Sequence, residues 1–195
     1  MPWGLTRFHH SGQSHFVTFC CYHRRPLLIS NQTCRLFESA LERVRRSYKL
    51  CIYGYVVMPE HVHLLLSEPP EGTLADALKS LKQGVARRLL TNLPLKPRPG
   101  LSGTPEHFWE KRYYDFNVRS YRQFVEKLRY IHRNPVKRGL CARPEEWQWS
   151  SFLHYATGAE GRVEIESEWT ARKRERAAGR LCAAVELSHS SQNRA

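Results

Sequence analysis

Across 195 residues no apolar stretch approaches the ~20 that a helix needs to cross a bilayer, which excludes a membrane-spanning helix. The first ten residues also lack the continuous apolar segment of a secretory signal, and the expected location is the cytoplasm. Metal-knuckle and redox spacings are missing too, because Cys20, Cys21, Cys34, Cys51, Cys141 and Cys182 include no Cys-x-x-Cys pair. Several of them stand in apolar runs, where a reduced cysteine behaves as a small hydrophobe. Neither a zinc knuckle nor a disulfide framework is indicated. No internal repeats are present. Acidic residues are few: Asp and Glu number 18 against 31 Lys and Arg, leaving a formal net charge of +13. Such a field attracts phosphates and gains from counterion release, so a polyanionic partner is expected.

What is present divides into alternating strand and helix patterns. Residues 15–22 are β-branched and aromatic and read as a first strand. Asn31 can cap a helix in which Cys34, Phe37, Leu41 and Val44 recur at helical spacing. Residues 51–57 and 61–66 read as an antiparallel pair broken by Pro59 and Glu60. Thr73 caps a second helix, with Leu74, Leu78, Leu81 and Val85 inward and Lys79, Lys82, Arg87 and Arg88 outward. Residues 92–106 carry four prolines and two glycines and read as a loop. Residues 108–118 are aromatic and extended. Residues 121–134 form a third helix, expected to stop near Asn134 because Pro135 disfavours helical geometry in the residue before it. The order strand, helix, strand, strand, helix, strand, helix predicts an α+β fold. It suits a ferredoxin-like split βαβ arrangement, an antiparallel sheet with helices on one face. One domain is expected over residues 1–157. A charged C-terminal extension follows over residues 158–195, read as a solvated helix passing into a partly disordered tail.

Two places concentrate the chemistry. His61 and His63 lie in an apolar run, and a strand points residues i and i+2 to one face, so both imidazoles project side by side. Imidazole ligates divalent ions, and a strand fixes the separation of the two nitrogens. The same pair also suits two satisfied histidines near a sheet edge. The other place is the third helix. At ~100° per residue, Tyr121, Leu128 and Ile131 fall within about 60° of Phe124 and form the stripe that docks on the sheet, with Val125 and His132 at its margin. Tyr130 lies about 120° from Phe124, and Asn134 follows it along the same off-core face. An ordinary surface tyrosine fits that position, and so does a nucleophile. The asparagine carbonyl can complete a facial set of metal ligands with His61 and His63, the metal polarising a phosphodiester that the tyrosine attacks. A phenol has an ordinary pKa of about 10, so attack near neutrality needs activation by the local field or loss of the proton during attack.

Three segments together, Val57-Met-Pro-Glu-His-Val-His-Leu-Leu65, Tyr130-Ile-His-Arg-Asn-Pro-Val-Lys-Arg-Gly-Leu140 and Trp147-Gln-Trp-Ser-Ser151, carry a family likeness. They closely resemble the single-tyrosine transposases with a His-hydrophobe-His (HUH) signature, most of all the REP-associated tyrosine transposases, the branch tied to repetitive extragenic palindromes. The resemblance covers residues 5–157 and leaves out the basic tail; Trp-Gln-Trp departs from the more usual Trp-Pro-Trp. By position it implies that His61 and His63 are the metal-binding pair and Asn134 the third ligand. It implies Tyr130 as the nucleophile, making a 5′-phosphotyrosine link to single-stranded DNA and leaving a free 3′-hydroxyl. It further implies Mg2+ or Mn2+ as cofactor, and no energy cofactor. The implied partner is single-stranded DNA with imperfect, REP-like hairpins, cleaved and rejoined by a monomer or homodimer associated with the nucleoid. Tyr113, Tyr114 and Tyr121 are near in sequence, but none has an amide four residues later before a proline.

Arg119 and Arg133 flank the proposed site and are candidate phosphate contacts, as are Lys82, Arg87 and Arg88, for which a solvated helix face is the alternative. Trp109 and Tyr113 can stack on unpaired bases, a contact worth about 1–3 kcal/mol per base, although core packing suits Trp109, Trp147 and Trp149. Two other readings of the same residues stand beside strand transfer. One is a metal-dependent single-strand endonuclease in which the histidines activate water, without rejoining. The other is a noncatalytic hairpin-DNA-binding protein.

Overall fold

The computed structural model describes residues 12–92 and 107–178. Residues 93–106 of the expected loop, and residues 179–195 of the tail with Cys182, lie outside them. The elements are β1 (Ser14–Cys20), α1 (Asn31–Ser47), β2 (Ile52–Val57), β3 (His61–Ser67), α2 (Leu74–Asn92), β4 (Tyr114–Val118), α3 (Tyr121–Lys137) and α4 (Phe152–Thr157). The strands form one sheet in the order β2-β3-β1-β4, every neighbouring pair antiparallel. This is the split βαβ arrangement: α1 carries the chain over the sheet from β1 to β2, and the β2–β3 hairpin inserts β3 between them.

Alternation along the strands sorts the core into two layers. Val17, Phe19, Val62, Leu64 and Leu66 face α1 and α2, whose Cys34, Phe37, Leu41, Val44, Leu78, Leu81 and Val85 are buried against them. Phe16, Val56, Leu65 and Val118 face the other way and pack with Ile131 of α3, flanked by Phe124 and Leu128. The single helical layer expected from the sequence therefore describes α1 and α2, while α3 covers the opposite face. The reason lies in β3, which is buried at every position from His61 to Leu66. A strand apolar on both faces needs cover on both.

Local chemistry sets the boundaries. Ser30, one residue before Asn31, caps α1 by accepting from the Thr33 amide at 3.1 Å. Thr73 caps α2 through the Asp76 amide at 3.1 Å. α3 does not stop at Asn134 but runs through Pro135 to Lys137. A proline inside a helix costs about 3 kcal/mol. Here it is buried, and the turn continues with Arg138 N–H donating to the Asn134 carbonyl and Leu140 N–H to that of Pro135, both at 3.0 Å. Tyr121, placed on the docking stripe by periodicity, is instead 83% exposed. Periodicity fixes the azimuth of a side chain, not whether the sheet extends beneath it at that height.

Trp147 to Ser151 closes the outer edge of β2. The Val57 amide donates to the Trp149 carbonyl at 2.9 Å and the Ser151 amide to the Tyr55 carbonyl at 3.0 Å, satisfying an edge that would otherwise stay open. The start of the charged extension is also folded. Val163 and Ile165 join the core beside α1, the Glu166 amide donates to the Ile52 carbonyl at 2.8 Å, and residues 168–178 are helical. The described cysteines are all free, with burial pushing Cys21 and Cys34 up to about 12. Among the described residues no helix is long and apolar enough to cross a membrane.

Candidate active site

The sheet face covered by α3 holds both expected constellations. His61 and His63 share the parity of Leu65 and so point toward α3, their Nε2 atoms 2.9 Å apart. Thr18, paired with His63 across β1 and β3, places Oγ1 2.7 Å from His63 Nδ1. From above, α3 lowers Asn134, which is buried with Nδ2 3.3 Å from His63 Nε2. Four residues earlier, Tyr130 meets the rings of His63 and Phe16 edge-on, at 5.1 and 5.8 Å between centroids. It remains 39% exposed. Its off-core placement is as the helical count predicted, and all four side chains come from one chain. They line a cleft of about 380 Å3, together with Arg24, Lys127 and Arg138. Lys127, Tyr130, Asn134 and Arg138 enter it together because spacings of three and four residues share a helix face.

Burial, aided by the charges of His61, Arg24 and Lys127, pushes His63 down to about 3. His61 is also lowered by burial, against the opposing pull of Glu60. Both imidazoles are therefore neutral near neutrality, each with one nitrogen lone pair to offer. When His63 Nδ1–H donates to Thr18, that lone pair is on Nε2, inside the cleft. On His61 the neighbour is Glu60, whose Oε1 is 3.1 Å from Nδ1 and 2.5 Å from Arg138 Nη2. The Glu60 contact lies off the hydrogen-bonding direction, so it acts on His61 through charge. Asn134 Oδ1 is buried with no hydrogen-bond partner, and a half-turn of the amide exchanges it with Nδ2. Two neutral imidazoles and an unpartnered amide oxygen thus converge, a donor set that fits a divalent ion. Among the described residues no group of three or more His, Cys, Asp or Glu side chains could hold a metal ion, so the third protein ligand here would be the amide.

The candidate phosphate contacts fall elsewhere. Lys82 is not outward: its half-buried ammonium donates to the carbonyls of Glu110 at 2.7 Å and Lys111 at 3.3 Å, tying α2 to the segment before β4. Burial lowers its pKa. Arg87 and Arg88 are exposed on α2, across the sheet from the cleft. Arg119 and Arg133 are exposed near α3, and neither lines the cleft. Trp109 is core, its indole donating to the Lys82 carbonyl at 3.0 Å, and Tyr113 packs against that core. Sequence reasoning missed the cations that do line the cleft. Lys127 could have been found three residues before Tyr130. Arg24 could not, because its placement depends on a kink in which His23 and Arg24 have φ of 51° and 52°.

Residues 9–134 match the family model described as "Transposase IS200 like", a span holding both histidines, Tyr130 and Asn134. The chain belongs to the IS200-like transposase family. Its relatives include the REP-associated tyrosine transposase of Escherichia coli K12, 26% identical over 146 residues that make up 75% of this chain and 80% of that protein. The ISDra2 transposase TnpA of Deinococcus radiodurans is 32% identical over 78 residues, 40% of this transposase-family chain and 55% of its own. Among solved structures, a REP-associated tyrosine transposase bound to a REP hairpin superposes with a TM-score of 0.65 at 20% identity, covering 85% of this chain and 93% of that one. The two share the fold.

Proposed function

We propose that this IS200-like transposase cleaves and rejoins single-stranded DNA at REP-like hairpins, with Tyr130 as nucleophile and His61, His63 and Asn134 as ligands of Mg2+ or Mn2+. The observation that carries this reading is the meeting of those four side chains in one cleft, at the distances given above. The hairpin class is suggested by the relatives, one named for REP elements and one seen on a REP hairpin.

A divalent ion held by these ligands would polarise the phosphodiester and stabilise charge on its oxygens. The chain's own residues do the rest. Thr18 orients the His63 ring, Glu60 sets its charge beside His61, and the His63 and Phe16 rings brace Tyr130 while its exposure leaves the hydroxyl open to a strand. The Tyr130 Oη–P bond forms as the P–O3′ bond breaks; the phenol gives up a proton and the departing 3′ oxygen takes one up. The phosphotyrosine keeps the energy of the broken bond, so attack by a 3′-hydroxyl rejoins a strand without ATP.

The experiment is incubation of the full chain with hairpin strands labelled at either end, in Mn2+ and in chelator. The 3′-labelled fragment should remain on the protein, and the 5′-labelled fragment should end in a 3′-hydroxyl. Cut products without any adduct would indicate hydrolysis by activated water instead.

A further inference from the structure

The cleft holds positive charge that neither the metal ligands nor the nucleophile uses. Arg24 and Lys127 both line it, and among the described residues neither has a carboxylate partner. Several other cations of this chain are met by acids, Arg138 at the same cleft among them, as Arg45 is by Glu42 at 2.7 Å, Arg174 by Glu166 at 2.8 Å and Arg138 by Glu60 at 2.5 Å. The larger groove beside residues 158–178 shows the contrast: Arg172, Lys173 and Arg174 all pair with glutamates there.

Both cleft cations are also positioned. Lys127 sets its ammonium over an aromatic floor, with Nζ 4.8 Å from the Phe16 ring centroid and 4.4 Å from that of Phe116. Arg24 is aimed by backbone, since two successive non-glycine residues adopt φ near +50°, a conformation that costs free energy and persists only where its surroundings fix it. They do fix it. The Cys21 amide donates to the Glu60 carbonyl and the Tyr22 amide to that of Phe108, both at 2.9 Å, while the His23 amide donates to Glu110 Oε1 at 2.8 Å. The kink thus fastens to the turn that precedes His61.

We propose that Arg24 and Lys127 form the phosphate seat of the cleft, two unpaired cations that bind the phosphodiester of a single strand beside Tyr130. The inference rests on the DNA reading above and adds residues to it. Both act on phosphate, so they contribute to binding of any sequence and to the speed of attack.

The test uses the full chain. Binding of a labelled single-stranded hairpin is measured against salt in a Tyr130→Phe background, where no covalent product distorts the equilibrium. Arg24→Asn removes the charge with a residue that tolerates positive φ, and Arg24→Lys keeps the charge. Arg24→Asn and Lys127→Ala should each make the log–log salt slope shallower by about 0.7, one phosphate contact on a single strand. Arg24→Lys should leave the slope unchanged, as should Arg176→Ala on the C-terminal helix. With Tyr130 intact, Arg24→Asn should slow adduct formation about 100-fold, the order seen when one donor to a developing oxyanion is lost, and Arg24→Lys should restore most of it. Slopes for Arg24→Asn and Lys127→Ala equal to the parent's would overturn the seat. If the parent chain forms no adduct at all, the strand-transfer reading fails, and the slopes still decide the seat.

Discussion

Each of the two imidazoles meets a neighbouring side chain at Nδ1. Thr18 holds His63 at Nδ1, and Glu60, pinned by Arg138, faces His61 at Nδ1. Partners of this kind are typically worth 10–100-fold in metal affinity. Titration calorimetry with Mn2+ on the full chain should therefore show weakening of about that size for Glu60→Gln and for Thr18→Val, and no measurable binding for His63→Ala. Undiminished affinity in His63→Ala would remove the histidines from the metal site. The faces that the histidines, Tyr130 and Asn134 take were legible in the sequence because periods of two and 3.6 residues set them, while the roles assigned to them came from the family likeness. Thr18 was not, since its role depends on the register that pairs it with His63, fixed only when β1 and β3 meet.

α3 brings Tyr130 to the face that holds His61 and His63, and its seat on the sheet is narrow. A bulge between Ile52 and Gly54 turns Tyr53 and Gly54 toward the helix, and a Cβ on Gly54 would stand 2.6 Å from Leu128 Cδ1. Next to it Ile131 is fully buried. Ile131→Ala should cost about 2–5 kcal/mol in a denaturant titration, because it opens a cavity directly under the helix. A loss below ~0.5 kcal/mol, the size of a surface change, would mean that α3 is not anchored there. The elements themselves were readable from hydrophobic spacing and turn residues, down to the β2–β3 hairpin and the Thr73 cap. The side of the sheet that α3 takes was not, although the unbroken apolar run of β3 carried the hint. Lys82 misled for a related reason: a long aliphatic stem lets an ammonium reach carbonyls on a neighbouring segment, which helical azimuth alone does not reveal.

At the scale of the molecule, charge acts in two ways. His15, buried on the α1 and α2 side, bonds Asp115 through Nδ1 at 2.8 Å and Glu68 through Nε2 at 3.0 Å, joining β1, β4 and the end of β3. Burial pulls its pKa down, but the two carboxylates more than offset that, and the net shift is upward from 6.5. The stability it contributes is present below the unfolded value and is lost as pH rises through the folded one. His15→Gln should therefore be more destabilising at about pH 5.5 than at about pH 9 in urea titrations, and an equal effect at both would contradict the charged network. The other effect is long range. With net +13, affinity for single-stranded hairpins should fall steeply with salt, yet hairpins should stay preferred over a perfect duplex of equal length, because attack on one strand needs a phosphate free of pairing. Filter binding at two salt concentrations checks this, and equal affinity for both substrates would contradict it.

Whether Tyr130 is the nucleophile is decided by comparing Tyr130→Phe with the parent chain on a denaturing gel, using a 3′-labelled hairpin strand in Mn2+. The substitution removes one oxygen from a side chain held by ring contacts, so the fold and hairpin binding should be nearly unchanged. The expected result is a labelled covalent band with the parent and none with Tyr130→Phe. A band that persists in Tyr130→Phe, or that disappears instead in Tyr114→Phe, would contradict the assignment.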